Sequence, residues 1–81
     1  MLREGTRFVV VRYLPDGSSD REPGSCRTLE DALGVLMPCH VERGWKVREE
    51  FAGEGKTRVV QVFDVEVVDG EVVAKSSRRA A

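Results

Sequence analysis

Residues 28–38 read TLEDALGVLMP, and this stretch predicts the one helix of the chain. The hydroxyl of Thr28 can accept a hydrogen bond from a free amide of the first turn, and Asp31 can reach back toward the Thr28 N–H. Pro38 ends the helix at Met37, because proline disfavours helical geometry in the preceding residue. A helix of about three turns needs a sheet beneath it. One apolar helical stripe is formed by Leu29, Ala32, Leu33, Leu36 and Met37.

The segment before the helix predicts a strand followed by a loop. Residues 6–14 are rich in β-branched and aromatic side chains and are apolar on both faces, which is typical of a strand covered from both sides. Residues 15–27 are rich in turn-forming residues and predict a loop. A short edge strand within this loop, pairing back onto residues 6–14, remains an alternative.

The segment after the helix predicts a three-stranded antiparallel meander. Residues 41–52 alternate in polarity and predict a strand with one buried side, whose polar face carries Lys46, Arg48 and Glu50. A three-residue loop at 53–55 brings the apolar faces of residues 41–52 and 56–68 to the same side. Asp69-Gly70 is a strong hairpin signal. The predicted fold is therefore a two-layer α+β domain of order β-α-β-β-β, with one short helix packed on one face of a mainly antiparallel sheet.

Length and charge bound the domain organisation and the partners. The chain has 81 residues, so we expect a single domain over 1–75 and a flexible basic tail over 76–81. The formal net charge of −1 provides no global attraction to nucleic acid or to an anionic membrane. The absence of a long apolar run and of a signal-peptide pattern favours a cytoplasmic protein. The preference for Arg and Val is typical of a GC-rich genome, such as that of an actinobacterium or its phage.

Residues 36–45, LMPCHVERGW, hold the side chains that most resemble a reactive centre. Zinc needs about four ligands, usually from paired close spacings, whereas Cys39 and His40 are neighbours that an extended segment points to opposite faces. Cys26 precedes the helix and is expected to lie far from His40, so no thiol–imidazole pair is predicted. Trp45 is interpreted as a core anchor. We therefore predict no metal, no cofactor and no catalytic residue, and a protein that is not an enzyme.

Two acidic residues, Asp64 and Glu66, share one face of the predicted strand over 56–68. Paired carboxylates can act in glycosidase or metal chemistry when they lie in a cleft. On an open strand face they are typical of a solvated surface, and the predicted register places Asp64 opposite Lys75 as a surface ion pair.

A second apolar face of the sheet is the feature that points to function. One helix can cover only one face, so apolar residues on the other face would form a patch of the size that usually marks an interface. The alternative is that the loop over 15–27 folds across this face. The predicted interface residues are Val9, Val11, Tyr13, Val60, Val62, Val68 and Val73.

These observations favour a small non-enzymatic protein–protein interaction protein: a homodimer, or an adaptor or inhibitor that binds another protein. The alternative is a nucleic-acid-binding accessory protein that uses surface arginines and the basic tail. The cations considered for that alternative are Arg7, Arg12, Arg43, Arg48, Arg58, Lys75, Arg78 and Arg79.

Overall fold

Residues 5–75 form an α+β fold of eight short elements in the computed structural model of the chain, which describes those residues. The α+β class and the mainly antiparallel sheet are confirmed, but the elements are more numerous than predicted. In chain order they are β1 (Gly5–Tyr13), β2 (Ser19–Arg21), α1 (Leu29–Val35), α2 (Pro38–Glu42), β3 (Trp45–Gly53), β4 (Lys56–Phe63), β5 (Val65–Val68) and β6 (Glu71–Ala74).

The larger sheet has the strand order β2-β1-β3-β4 and is antiparallel throughout. Strand β1 is central and pairs with β3 so that Val10 lies opposite Val47. The edge strand that the sequence left as an alternative within residues 15–27 is present as β2. Its turn is held by Asp16, whose carboxylate accepts hydrogen bonds from the N–H and the hydroxyl of Ser18 at 2.9 and 2.6 Å.

Helix α1 begins as predicted and ends earlier. The Asp31 N–H donates to the Thr28 hydroxyl at 3.1 Å, which confirms Thr28 as the N-terminal cap. The helix ends at Val35, and Leu36 has extended backbone angles. A helix of seven residues is not stable by itself. It is held by its packing on the sheet, where Ala32 is fully buried.

Residues 38–42 form a second helix, which corrects the predicted strand start at Val41. Proline is favourable in the first turn of a helix, where its missing N–H has no intrahelical partner to lose, so Pro38 begins α2 as well as preventing a continuation of α1. The Met37 N–H donates to His40 Nδ1 at 2.9 Å and closes the first turn of α2. Gly44, at φ +91°, then reverses the chain into β3.

The β3–β4 hairpin has a two-residue turn, Glu54-Gly55, and not the predicted three-residue loop. Both turn residues have positive φ, as a type I′ turn requires. The sequence argument needed one extra residue to bring the apolar faces together. The structure supplies it as a β-bulge, because Glu49 pairs with Gln61 and Glu50 with Val59, which leaves Val60 unopposed. Val59 therefore lies on the side opposite the core, contrary to expectation.

The predicted third strand is divided at Asp64. Strands β5 and β6 form a separate two-stranded sheet, and the turn at Asp69-Gly70 has the predicted register, with Val68 opposite Glu71. By leaving the larger sheet after Phe63, the chain brings Val65 and Val72 onto the same core as the helices. The buried core members are Val10, Ala32, Leu36, Trp45, Val47, Phe63 and Val65.

Candidate binding surfaces

The register of the larger sheet places the alternate residues of its strands on the side away from the core, and we call this side the open sheet face. The helices and the β5–β6 hairpin pack on the other side, and no helix or strand among residues 5–75 packs on this one. The open sheet face includes Arg7, Val9, Val11, Tyr13, Arg21, Lys46, Arg48, Glu50, Val59 and Val62.

Glu50 is the centre of the open sheet face. It is only 3% exposed, and its carboxylate accepts hydrogen bonds from Arg7 Nε at 3.1 Å and from Arg48 Nε at 2.8 Å. A terminal nitrogen of Arg48 lies 2.6 Å from the same carboxylate, and one of Arg21 lies 4.0 Å away. Three guanidinium groups thus surround one buried carboxylate, which supplies the pairing that a buried charge requires.

Arg48 also connects this cluster to Tyr13. Burial by itself lowers the pKa of the Arg48 guanidinium, but hydrogen bonds with Tyr13 and Glu50 act in the opposite direction and leave that pKa above its usual value. Arg48 therefore stays positively charged at neutral pH. Tyr13 itself is 47% exposed, so its ring is available to a partner.

The predicted interface residues do not form one exposed patch. Val9 and Val11, expected on the surface, are 1% and 0% exposed. The register places Arg48 opposite Val9 and Lys46 opposite Val11, and the aliphatic stems of such long side chains cover neighbouring apolar surface while their charged ends reach water. This corrects the expectation of an apolar outer face.

The remaining predicted interface residues are divided between two sheets. Tyr13 and Val62 lie on the open sheet face, and Val60 lies at the bulge of β4, which is an edge strand. Val68 and Val73 belong to the β5–β6 hairpin and are not part of that face. Whether any of them contacts a partner stays a prediction.

The second candidate surface, the helix–hairpin groove, lies between α1 and the β5–β6 hairpin, with a volume of ≈ 430 Å³. Met37 beside it is 60% exposed. The groove contains the carboxylates of Glu30 and Glu71 but no Lys or Arg from the described part of the chain. Its lining residues are Glu30, Leu33, Gly34, Leu36, Met37, Pro38, Gly70, Glu71 and Val72.

Two residues of the 36–45 stretch, His40 and Trp45, contact each other and their neighbours in the fold. The ring of His40 meets Trp45 edge-on at 6.2 Å between centroids, and its Nδ1 is occupied by the Met37 N–H. Cys39 is exposed on α2, and Cys26 is half-buried beside β1. Within residues 5–75, no three His, Cys, Asp or Glu side chains are grouped closely enough to hold a metal ion.

Charged side chains also connect the strands. Asp64 lies opposite Lys75 as predicted, because the Lys75 backbone N–H donates to the Asp64 carbonyl, and Lys46 Nζ lies 2.6 Å from the Asp64 carboxylate. The Arg12 guanidinium pairs with Asp20 and lies over the Trp45 ring, 5.1 Å from its centroid. The buried Arg12 Nε–H has no hydrogen-bond partner among residues 5–75, and the stacking on the indole ring is the contact that holds this part of the side chain.

Sequence reasoning missed both the burial of Glu50 and the groove. Glu50 was placed on a solvated strand face, and only the pairing of β1 with β3 brings Arg7 opposite it. Met37 was assigned to the apolar helix stripe. The signal that it lies outside the helix was present, because Met37 directly precedes Pro38.

No protein-family model, curated protein sequence or solved structure matches this chain. None of the helices in residues 5–75 has the length and apolar character needed to cross a membrane.

Proposed function

We propose that the protein is a non-enzymatic protein-binding module and that its helix–hairpin groove receives an apolar side chain of the partner, flanked by Lys or Arg. The observation that supports this most directly is the groove itself. It has a volume of ≈ 430 Å³, its lining is mainly apolar, and α1 and the β5–β6 hairpin each contribute one glutamate to it. An exposed apolar surface with polar residues at its rim is typical of a site that binds another protein.

The charge of the groove selects the partner chemistry. Glu30 lies on α1 and Glu71 at the start of β6, so an occupant would pass between two carboxylates. A Lys or Arg on each side of an apolar anchor would pair with them, and rim charges of this kind give specificity and association rate. The elements that flank the groove also carry the exposed side chains of Val35 on α1 and of Val67 and Val68 on β5.

A non-enzymatic role is supported by the contacts of the most reactive side chains. The ring of His40 contacts the Met37 N–H and Trp45, and the carboxylate of Glu50 accepts hydrogen bonds from Arg7 and Arg48. The carboxylates of Glu30 and Glu71 lie on an open groove, where charge recognition is their simplest use.

A selection from a random peptide library displayed on phage tests this proposal. We expect the selected peptides to share one apolar residue flanked by basic residues, and the double change Glu30→Lys/Glu71→Lys to weaken their binding at least about tenfold. The control is Glu42→Lys/Glu54→Lys, which makes the same change of charge at two exposed acids outside the groove. Equal loss in both double variants would contradict binding in the groove.

Light scattering of the free protein distinguishes a homodimer, with a second copy in the groove, from a monomer that binds another protein there. A concentration-dependent dimer that Met37→Glu dissociates would place a second copy in the groove and replace the basic partner segment. A monomer at all concentrations, with peptide binding lost in Met37→Glu, supports the proposal, because Met37 is exposed and its replacement leaves the core intact.

A further inference from the structure

The open sheet face concentrates positive charge in a chain whose formal net charge is −1. Four cations lie on it, and the only acidic residue among its described members is Glu50, which is buried beneath them. Asp64, outside the open sheet face, pairs with Lys46 on that face. The cations are Arg7, Arg21, Lys46 and Arg48.

These cations retain donors for a ligand. A guanidinium carries five N–H donors, and the one carboxylate of Glu50 is shared by Arg7 and Arg48 and approached by Arg21. Arg21 and Lys46 are the more exposed, with 41% and 39% of their side chains accessible. Because Glu50 holds the guanidinium groups in place, part of the entropy cost of ordering them has already been met on folding.

The centre of the face distinguishes a nucleic acid from an acidic protein. A protein-binding interface usually has an apolar core, but Val9 and Val11 at the centre of this face are covered. What a ligand would meet there is a layer of cationic groups with the exposed Tyr13 ring beside Arg48. Cations for the phosphates and an aromatic platform for a base are the combination used to bind single strands.

We propose that the open sheet face binds single-stranded nucleic acid, with its cations contacting the phosphates and Tyr13 stacking on a base. The shape of the surface favours a single strand over a duplex, because the face is a sheet and no helix within residues 5–75 projects from it. This inference is independent of the groove, which lies on the other side of the larger sheet.

The test is fluorescence anisotropy of the full chain with labelled twelve-nucleotide dT and U oligomers, repeated over a range of salt concentrations. With three or four phosphates contacted, the logarithm of the association constant should fall against the logarithm of salt with a slope of about −2 to −3. A duplex of the same length should bind more weakly. Absence of binding at low salt, or preference for the duplex, would overturn the proposal.

A charge-matched pair of variants places the ligand on the face. Arg21→Gln/Lys46→Gln should weaken binding about tenfold and make the slope shallower by about 1 to 2. Arg43→Gln/Lys56→Gln removes the same charge from exposed positions off the face and should bind as the unchanged protein does. Equal binding by the two double variants would overturn the assignment.

Tyr13 separates a nucleic acid from an acidic polypeptide. Tyr13→Phe keeps the stacking surface and should retain most of the oligonucleotide affinity, whereas Tyr13→Ala should lower it about tenfold. A polyglutamate peptide that binds as tightly as the oligonucleotide, and that is insensitive to Tyr13→Ala, would reassign the face to an acidic protein.

Discussion

The two sides of the larger sheet bury valines by different means. On one side, Val10 and Val47 lie beneath helices and a hairpin, in contact with other apolar side chains. On the other, Val9 lies opposite Arg48, which pairs with Glu50, and Val11 lies opposite Lys46, which pairs with Asp64. A strand such as β1 can therefore have buried side chains on both faces although helices and a hairpin pack on only one of them. Burial on the first side depends on how well apolar side chains fit together, and burial on the second depends on how ion pairs hold the long side chains.

The largest effect should come from removing Glu50. Glu50→Ala leaves Arg7 and Arg48 without their shared carboxylate, and because both guanidinium groups still reach water we expect a loss of about 3 kcal/mol in the free energy of unfolding. Urea denaturation measures it. Glu49→Ala is the control: it removes the carboxylate that accepts a hydrogen bond of 2.6 Å from Gln61 Nε2, and it should cost about 1 kcal/mol. Equal losses would mean that the Glu50 cluster does not organise its face.

A pair of identical substitutions compares the two sides directly. Val47→Ala opens a cavity among packed apolar side chains and should cost about 2.5 kcal/mol. Val9→Ala removes the same atoms on a side where no helix or strand of residues 5–75 packs, so fewer apolar contacts are lost, and it should cost about 1 kcal/mol. Both valines are almost fully buried, so burial alone predicts the same loss for each. Equal changes in the denaturation midpoint would remove the distinction between the two sides.

The β5–β6 turn at Asp69-Gly70 forms part of the groove wall, and its contribution to stability can be measured. Gly70 has φ +80°, a conformation that is strained for a β-branched residue, so Gly70→Val should destabilise by about 1–2 kcal/mol. Gly34→Ala, in α1 and with open space around an added Cβ, should instead stabilise by about 0.5 kcal/mol. Thermal unfolding of both variants measures the contrast. An unchanged midpoint for Gly70→Val would show that the turn tolerates the side chain.

The smallest effect should come from Asp16, which holds the turn that carries β2 and Arg21 to the open sheet face. Hydrogen bonds from the Ser18 side chain and backbone lower the pKa of the Asp16 carboxyl. A lowered pKa in the folded state stabilises the fold above the ordinary carboxyl pKa, and this contribution is lost as the pH falls through the lowered value. Asp16→Asn should therefore be slightly less stable than the unchanged protein at neutral pH. A difference that persists in strong acid would contradict this account.

Part of the candidate surface could be predicted and part could not. The interpretation of Lys46, Arg48 and Glu50 as one face of a strand was right, and so was the placement of Val9 and Val11 on one face of β1. The sequence did not show that these are the same side of one sheet. That depends on which strands are neighbours, and pairing partners distant in the chain have no local signature.

The features determined by the sequence alone are those set by residues within a few positions of one another. The Thr28 cap and the turn at Asp69-Gly70 follow from local hydrogen bonding and from the φ values that those residue types tolerate. The tertiary structure alone decided the bulge at Val60, the separation of β5 and β6, and the burial of Glu50. Each of these features is stabilised by contacts between segments that are distant in the sequence. Those contacts exist only in the folded chain, so no local pattern predicts them.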